Sequence, residues 1–185
     1  MLETYSLAFI PNDTIVTKVK QMKEQLAQEI GWFHSKNALA HITVCEFKSD
    51  ASAIAQLQLQ LTNIAKTTLP VSVTLATFGT YPNGAFFLCP TLDSKENLKP
   101  IMKSFTSRLK VKDMYKSNDP HVSIARKLNT NQISIAEQLF VPETLSFLCQ
   151  SIALRKLDLQ KKQFEIIATF PFTGEVQPAV QTSLF

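Results

Sequence analysis

The chain has 185 residues, with 45% hydrophobic and 18% charged side chains. That balance excludes a disordered protein and is enough to bury a core without disulfides or metal. The net charge of +4 fits an anionic substrate and demands none. No apolar run approaches the roughly 18 residues that a membrane-spanning helix needs. The first five residues, Met1 to Tyr5, lack a basic stretch and include Glu3, so no signal peptide is expected. Three cysteines, Cys45, Cys89 and Cys149, lie far apart in apolar surroundings without a CxxC pair. Buried thiols in a reducing cytoplasm are the expectation, and a structural zinc site is not. Low-complexity linkers are absent, so residues 1–185 read as one domain.

Residues 5–10 form a β-rich run stopped by Pro11. Asn12 and Asp13 are candidate N-caps for a helix over 13–30, where Ile15, Val19, Met22, Leu26 and Ile30 recur at helical spacing and Gly31 follows. A strand is predicted from His41 to Phe47, and then a helix capped by Asp50 with Ile54, Leu57, Leu61 and Ile64 inward. Residues 71–80 alternate as a strand. Tyr81-Pro82-Asn83-Gly84 carries a turn, and 85–89 return as the hairpin partner. A third helix spans about 94–109, with Pro100 expected to kink it or to delay its start to Lys99. A strand over 121–128, a short helix over 133–139 and two long strands over 144–157 and 163–170 complete the order. The tail from Thr173 to Phe185 has little pattern.

The elements repeat. The first helix ends near Ile30, and His41-Ile42-Thr43-Val44 begins eleven residues later. The third ends near Leu109, and His121-Val122-Ser123-Ile124 begins twelve residues later. The fold expected is α+β: two pseudo-symmetric lobes, each an antiparallel sheet with helices packed outside, and a central cleft between them.

In a strand, residues i and i+2 share a face. His41 therefore projects beside Thr43, and His121 beside Ser123, each pair with apolar residues behind. Imidazoles act as general base and general acid near neutral pH. Hydroxyls donate to phosphate oxygens without adding charge. Two such pairs across a cleft suit in-line displacement at phosphorus. One His-x-Ser/Thr is weak evidence, since a lone histidine at a strand start is usually structural. The repeat at matched offsets carries the argument. A metal site at His41, Cys45 and His121 lacks a fourth ligand and sensible spacing.

Ala40-His41-Ile42-Thr43-Val44 and Pro120-His121-Val122-Ser123-Ile124-Ala125-Arg126 resemble the paired motifs of the two-histidine (2H) phosphoesterases. They are most similar to the LigT-like branch, the RNA 2′,3′-cyclic phosphodiesterases also called 2′-5′ RNA ligases. The resemblance implies metal-independent hydrolysis of 2′,3′-cyclic phosphates, of RNA termini or small cyclic nucleotides, to 2′-phosphomonoesters, with reverse 2′-5′ ligation as a further activity. It implies His41 and His121 as the acid/base pair and Thr43 and Ser123 as phosphate binders. It offers Arg126 as a third phosphate ligand, although an odd offset on an ideal strand turns it away from His121. Phe47 shares parity with His41 and is a candidate for stacking on a base. The first motif departs from the branch by running into Cys45-Glu46-Phe47-Lys48 without its usual glycine. No cofactor, metal or membrane is expected, and a monomer is. The competing reading is a non-catalytic RNA-binding or scaffold protein that keeps the cleft.

Overall fold

The computed structural model describes residues 2–176. In chain order the elements are β1 (Leu2–Phe9), α1 (Asp13–Ile30), β2 (Ile42–Asp50), a 3₁₀ turn (Ala51–Ala53), α2 (Ile54–Lys66), β3 (Val71–Tyr81) and β4 (Ala85–Pro90). Then follow α3 (Leu92–Arg108), β5 (Tyr115–Lys116), β6 (Val122–Ala125), α4 (Thr130–Leu139), β7 (Leu145–Cys149), β8 (Ser151–Asp158) and β9 (Gln163–Pro171).

The helices form where apolar stripes and caps demand them. Asn12 caps α1, its Oδ1 accepting from the Ile15 amide at 3.1 Å. Ile15, Val19, Met22 and Leu26 are buried, each side chain contributing about 1.5–3 kcal/mol relative to exposure. Asn129 and Gln132 cap α4 reciprocally, so it starts three residues earlier than its apolar pattern indicates. Thr91 caps α3, and that helix runs unbroken through Pro100. The proline is exposed, so the one carbonyl left unpaired, that of Glu96, lies where water can reach it.

The strands form one antiparallel sheet in the order β7-β3-β4-β6-β2-β1-β8-β9, with β5 on the side of β2. Four strands on each side make two matching halves. The halves meet through a single residue pair, Ile42 opposite Val122, both fully buried. α1 and α4 pack together, α1 also against β6 and β7, while α2 packs against α3 and β9. The predicted α+β architecture of two halves with helices outside is the one observed.

Several strand boundaries differ from the sequence reading. The long strand over 144–157 breaks at Gln150: β7 pairs with β3 in one half, and β8 pairs with β1 in the other. Hydrophobic alternation continues through the break and cannot reveal that the chain changes halves. β6 ends at Ala125 and not at 128, because Lys127 adopts φ 57° and the Leu128 amide turns to donate to the Gly84 carbonyl at 2.9 Å. β2 runs on to Asp50, which precedes the 3₁₀ turn and makes no side-chain capping bond to it. Of the tail, Gly174 and Glu175 donate to the Thr68 and Lys66 carbonyls, and residues 177–185 lie outside the described residues.

Because Ile42 sits on the seam with no exposure, Ile42→Ala should cost about 2–5 kcal/mol and Ile42→Val about 0.5–1.5 kcal/mol. Urea unfolding of the two variants checks this.

Candidate active site

Antiparallel pairing of Ile42 with Val122 aligns His41 with Ser123 and Thr43 with His121. The two histidines are then diagonal neighbours, their Cα atoms about 7–8 Å apart in a regular ladder. All four side chains are half-buried, while Ile42, Val44, Val122 and Ile124 behind them are buried. The structure thus brings His41, Thr43, His121 and Ser123 to one face, on either side of the seam.

The histidines are held alike. His41 Nδ1 lies 2.6 Å from the Leu39 carbonyl, and His121 Nδ1 lies 2.8 Å from the Asp119 carbonyl. A carbonyl only accepts, so each Nδ1 carries the hydrogen. In the neutral ring Nε2 is then left as the proton acceptor.

Each motif strand carries a bulge at the same place. β1 pairs Leu7 with Cys45 and then Ala8 with Thr43, skipping Val44. β4 pairs Phe86 with Ala125 and then Phe87 with Ser123, skipping Ile124. A bulge reverses the alternation that follows it. Arg126 therefore comes round to the face of His121, and Glu46, its equivalent in the first motif, to the face of His41. The same reversal corrects the expectation for Phe47. It turns to the other face, is 2% exposed, and stacks on Tyr5 at 6.0 Å in the core. Cys45 also faces the core, opposite Leu7, and burial pushes its thiol up to about 12.

Phe87 stands at the site in the second half. Its ring lies 4.6 Å from that of His121, and Tyr81 lies 4.4 Å from Phe87 and 5.5 Å from His121. Gly79 is required behind it, since a Cβ there would meet the Phe87 ring at 2.7 Å and the Cys89 sulfur at 2.8 Å.

The surroundings of the two histidines differ in charge. Burial, reinforced first by Arg155 and then by Lys23 and Arg126, drives His41 down to about 3. Burial also lowers His121, but Asp119 opposes that shift through its carbonyl and its charge. Asp119 accepts from Lys95 at 2.6 Å and from the Tyr81 hydroxyl. Burial raises its carboxyl, and these two donors outweigh burial and hold it below the usual range.

Two of these cations were missed from sequence. Arg155, which lies beside the last hairpin in the sequence, is 2% exposed. Ser6 pairs with both Glu46 and Arg155, which sets the guanidinium on the His41 face. Its Nη2 donates to Ser6 Oγ at 2.7 Å, it lies 5.1 Å from the Phe164 ring centroid, and among the described residues its Nε has no hydrogen-bond partner. Lys23 is also 2% exposed and donates to the Ser35 and Ala38 carbonyls at 3.1 and 2.6 Å. Burial lowers it to about 8. Its position four residues after Val19 and three before Leu26, on the apolar stripe of α1, was the available signal. Among the described residues no three His, Cys, Asp or Glu side chains cluster as a metal site. No helix among them is long and apolar enough to cross a membrane.

A two-half sheet with twin histidine motifs at its seam is the layout of the 2H phosphoesterases. The profile of the 2′-5′ RNA ligase superfamily matches residues 11–161, and the chain belongs to that family. Escherichia coli LigT in a complex with NADP+ is similar in fold, with a TM-score of 0.67 at 13% identity, covering 94% of this chain and 99% of that one. LigT complexed with 3′-AMP gives 0.66 at 12% identity, with the same coverage. TT0787 of Thermus thermophilus gives 0.62 at 15% identity, covering 94% and 100%. Usb1 of Kluyveromyces marxianus gives 0.51 at 14%, covering 91% and 98%. No curated protein matches the sequence.

The depressed His41 predicts acid sensitivity. The folded chain keeps this ring neutral down to about pH 3, whereas the unfolded chain takes up the proton below about pH 6.5. Folding stability is thus unaffected by this group above about pH 6.5 and falls as pH drops from there toward the folded value. His41→Gln should flatten that loss, as read from urea midpoints between about pH 7 and 4.

Proposed function

We propose that the protein is a metal-independent phosphoesterase that opens 2′,3′-cyclic phosphates of RNA ends or small nucleotides to 2′-phosphomonoesters. The observation that carries this reading is the matched pair of histidines, each fixed through Nδ1 to the carbonyl two residues earlier, with a hydroxyl residue on the same face. The charges around them divide the labour. His41, among Arg155, Lys23 and Arg126, is the base. His121, beside Asp119, is the acid.

The reaction balances without another reactant. His41 Nε2 takes a proton from water as the water oxygen bonds to phosphorus. The bond from phosphorus to O3′ breaks on the opposite side, and O3′ takes the proton from His121 Nε2. Thr43 and Ser123 hydroxyls donate to the non-bridging oxygens, where charge builds up. Arg126 lies on the same face for the same purpose. A 5′-hydroxyl in place of water would give a 2′-5′ linkage, so ligation needs no further group. Thiols left unpaired at Cys45, Cys89 and Cys149 suit a cytoplasmic setting, and one chain supplies both motifs, in keeping with a monomer.

His41→Ala and His121→Ala should each lower kcat by about 10²–10⁴. Thr43→Ala and Ser123→Ala should lose about 1.5–3 kcal/mol of transition-state stabilisation. The double histidine variant should be scarcely worse than either single one. Single-turnover assays on cyclic-phosphate substrates with EDTA present measure all of these. RNA binding without any turnover would leave the scaffold reading instead.

The productive form has His41 neutral and His121 protonated. In the free enzyme both pKa values are lowered, so the kcat/KM profile should be a bell on the acid side of about pH 6.5. An anionic phosphate between the rings raises both, so the kcat profile should sit at higher pH. A profile rising steadily to about pH 10, or activity lost to EDTA and restored by zinc or magnesium, would refute this mechanism.

A further inference from the structure

The segment that leads into His41 carries an aromatic side chain that the core does not use. Trp32 is 66% exposed, although Phe33 beside it is 3% exposed and anchored in the core. Its ring meets that of His34 edge-on at 5.0 Å. The segment does not hang free. Lys23 clamps the Ser35 and Ala38 carbonyls from beneath. Ser35 Oγ donates to the Ile124 carbonyl at 3.3 Å, and the Arg126 amide donates to the His34 carbonyl at 3.1 Å. The indole is thus displayed to solvent by a braced backbone, and little conformational freedom is lost when a flat partner lands on it.

This display is continuous with the face that carries the histidines. The bridge between His34 and Arg126 ties it to the end of β6. Arg126 is three residues past Ser123, about 10 Å along a strand. Arg126 and Lys127 are exposed, and Lys36 is half-buried. An exposed aromatic face flanked by cations is the arrangement on which single-stranded nucleic acid docks, bases on the ring and phosphates on the charges. The occupant follows from continuity, since a chain whose terminal phosphate lies between the histidines must leave their face past one of its edges.

We propose that Trp32 and His34 form a stacking platform for the base of the penultimate nucleotide of a single-stranded RNA that ends in a cyclic phosphate, with Lys127 meeting the phosphodiester that joins it to the terminal nucleotide. The proposal rests on the phosphoesterase reading and narrows it. The preferred substrate is an RNA end and not a free cyclic mononucleotide.

Trp32 is the one tryptophan of the chain, so intrinsic emission reports on the platform alone. The probes are an RNA tetranucleotide ending in a 2′-phosphate and the mononucleotide 2′-AMP. The tetranucleotide should quench the emission strongly and 2′-AMP weakly. Trp32→Ala should weaken tetranucleotide binding, followed by anisotropy of a 5′-labelled strand, by about 5- to 150-fold. It should lower kcat/KM for a tetranucleotide ending in a cyclic phosphate by a similar factor and leave that for 2′,3′-cyclic AMP unchanged, while Trp32→Phe retains part of the binding. Turnover of both substrates untouched by Trp32→Ala, or reduced equally for both, would overturn the platform and leave the catalytic reading standing. Quenching and Trp32-dependent binding without turnover of either substrate would keep the platform and defeat the catalytic reading.

Discussion

The contact between Ile42 and Val122 is the constraint on which the rest depends. It is the single pair joining β2 to β6, and it lies on the pseudo-symmetry axis of the sheet. Its burial is what makes two four-stranded halves one sheet. Its antiparallel sense sets each histidine beside the other motif's hydroxyl residue. A wider seam, with a long ladder between β2 and β6, would tie the strands together along their length. A single pair fixes the motif residues relative to one another and lets the strands part beyond it, β2 going on to pair with β5.

The second determinant is the pair of bulges. Val44 and Ile124 each occupy a step that the neighbouring strand skips, and each keeps its side chain fully buried. Before the bulge the site face shows a histidine and a hydroxyl residue. After it the face shows Glu46 in one half and Arg126 in the other. One backbone irregularity, used twice, thus extends the site by a charged residue of opposite sign in each lobe. The carbonyls at the bulges are also used, that of Val44 accepting from the Ser117 amide and that of Ile124 from Ser35.

Symmetry of backbone does not extend to charge. Around His41 the fold collects cations, two of them almost wholly buried. A buried guanidinium is costly unless its donors are met, yet among the described residues Arg155 has a neutral hydroxyl on Nη2 and no hydrogen-bond partner on Nε. That is a poor arrangement for stability, and it is consistent with the anionic substrate proposed above. Around His121 the fold instead places Asp119, itself held by Lys95 and Tyr81. Two chemically equal rings are thereby made unequal, as the proposed acid/base roles require.

The amino-acid sequence by itself determined the elements and the motif pair. Helical stripes of apolar side chains, the cap at Asn12, and two His-x-Thr/Ser strands at matching offsets all act over a few residues, and short-range periodicity records them. What lay beyond it was set by contacts between distant segments. Register decided the bulges, and so sent Phe47 into the core and brought Arg126 to the face of His121. Pairing partners decided that 144–157 is two strands in different halves. Burial of Arg155 depends on Ser6, 149 residues away, and a charged residue beside a hairpin looks the same in sequence whether solvent or a folded sheet surrounds it. Only the tertiary structure could decide these, because a side chain's face, its neighbours and its charge environment are properties of strands brought together and not of the strand alone.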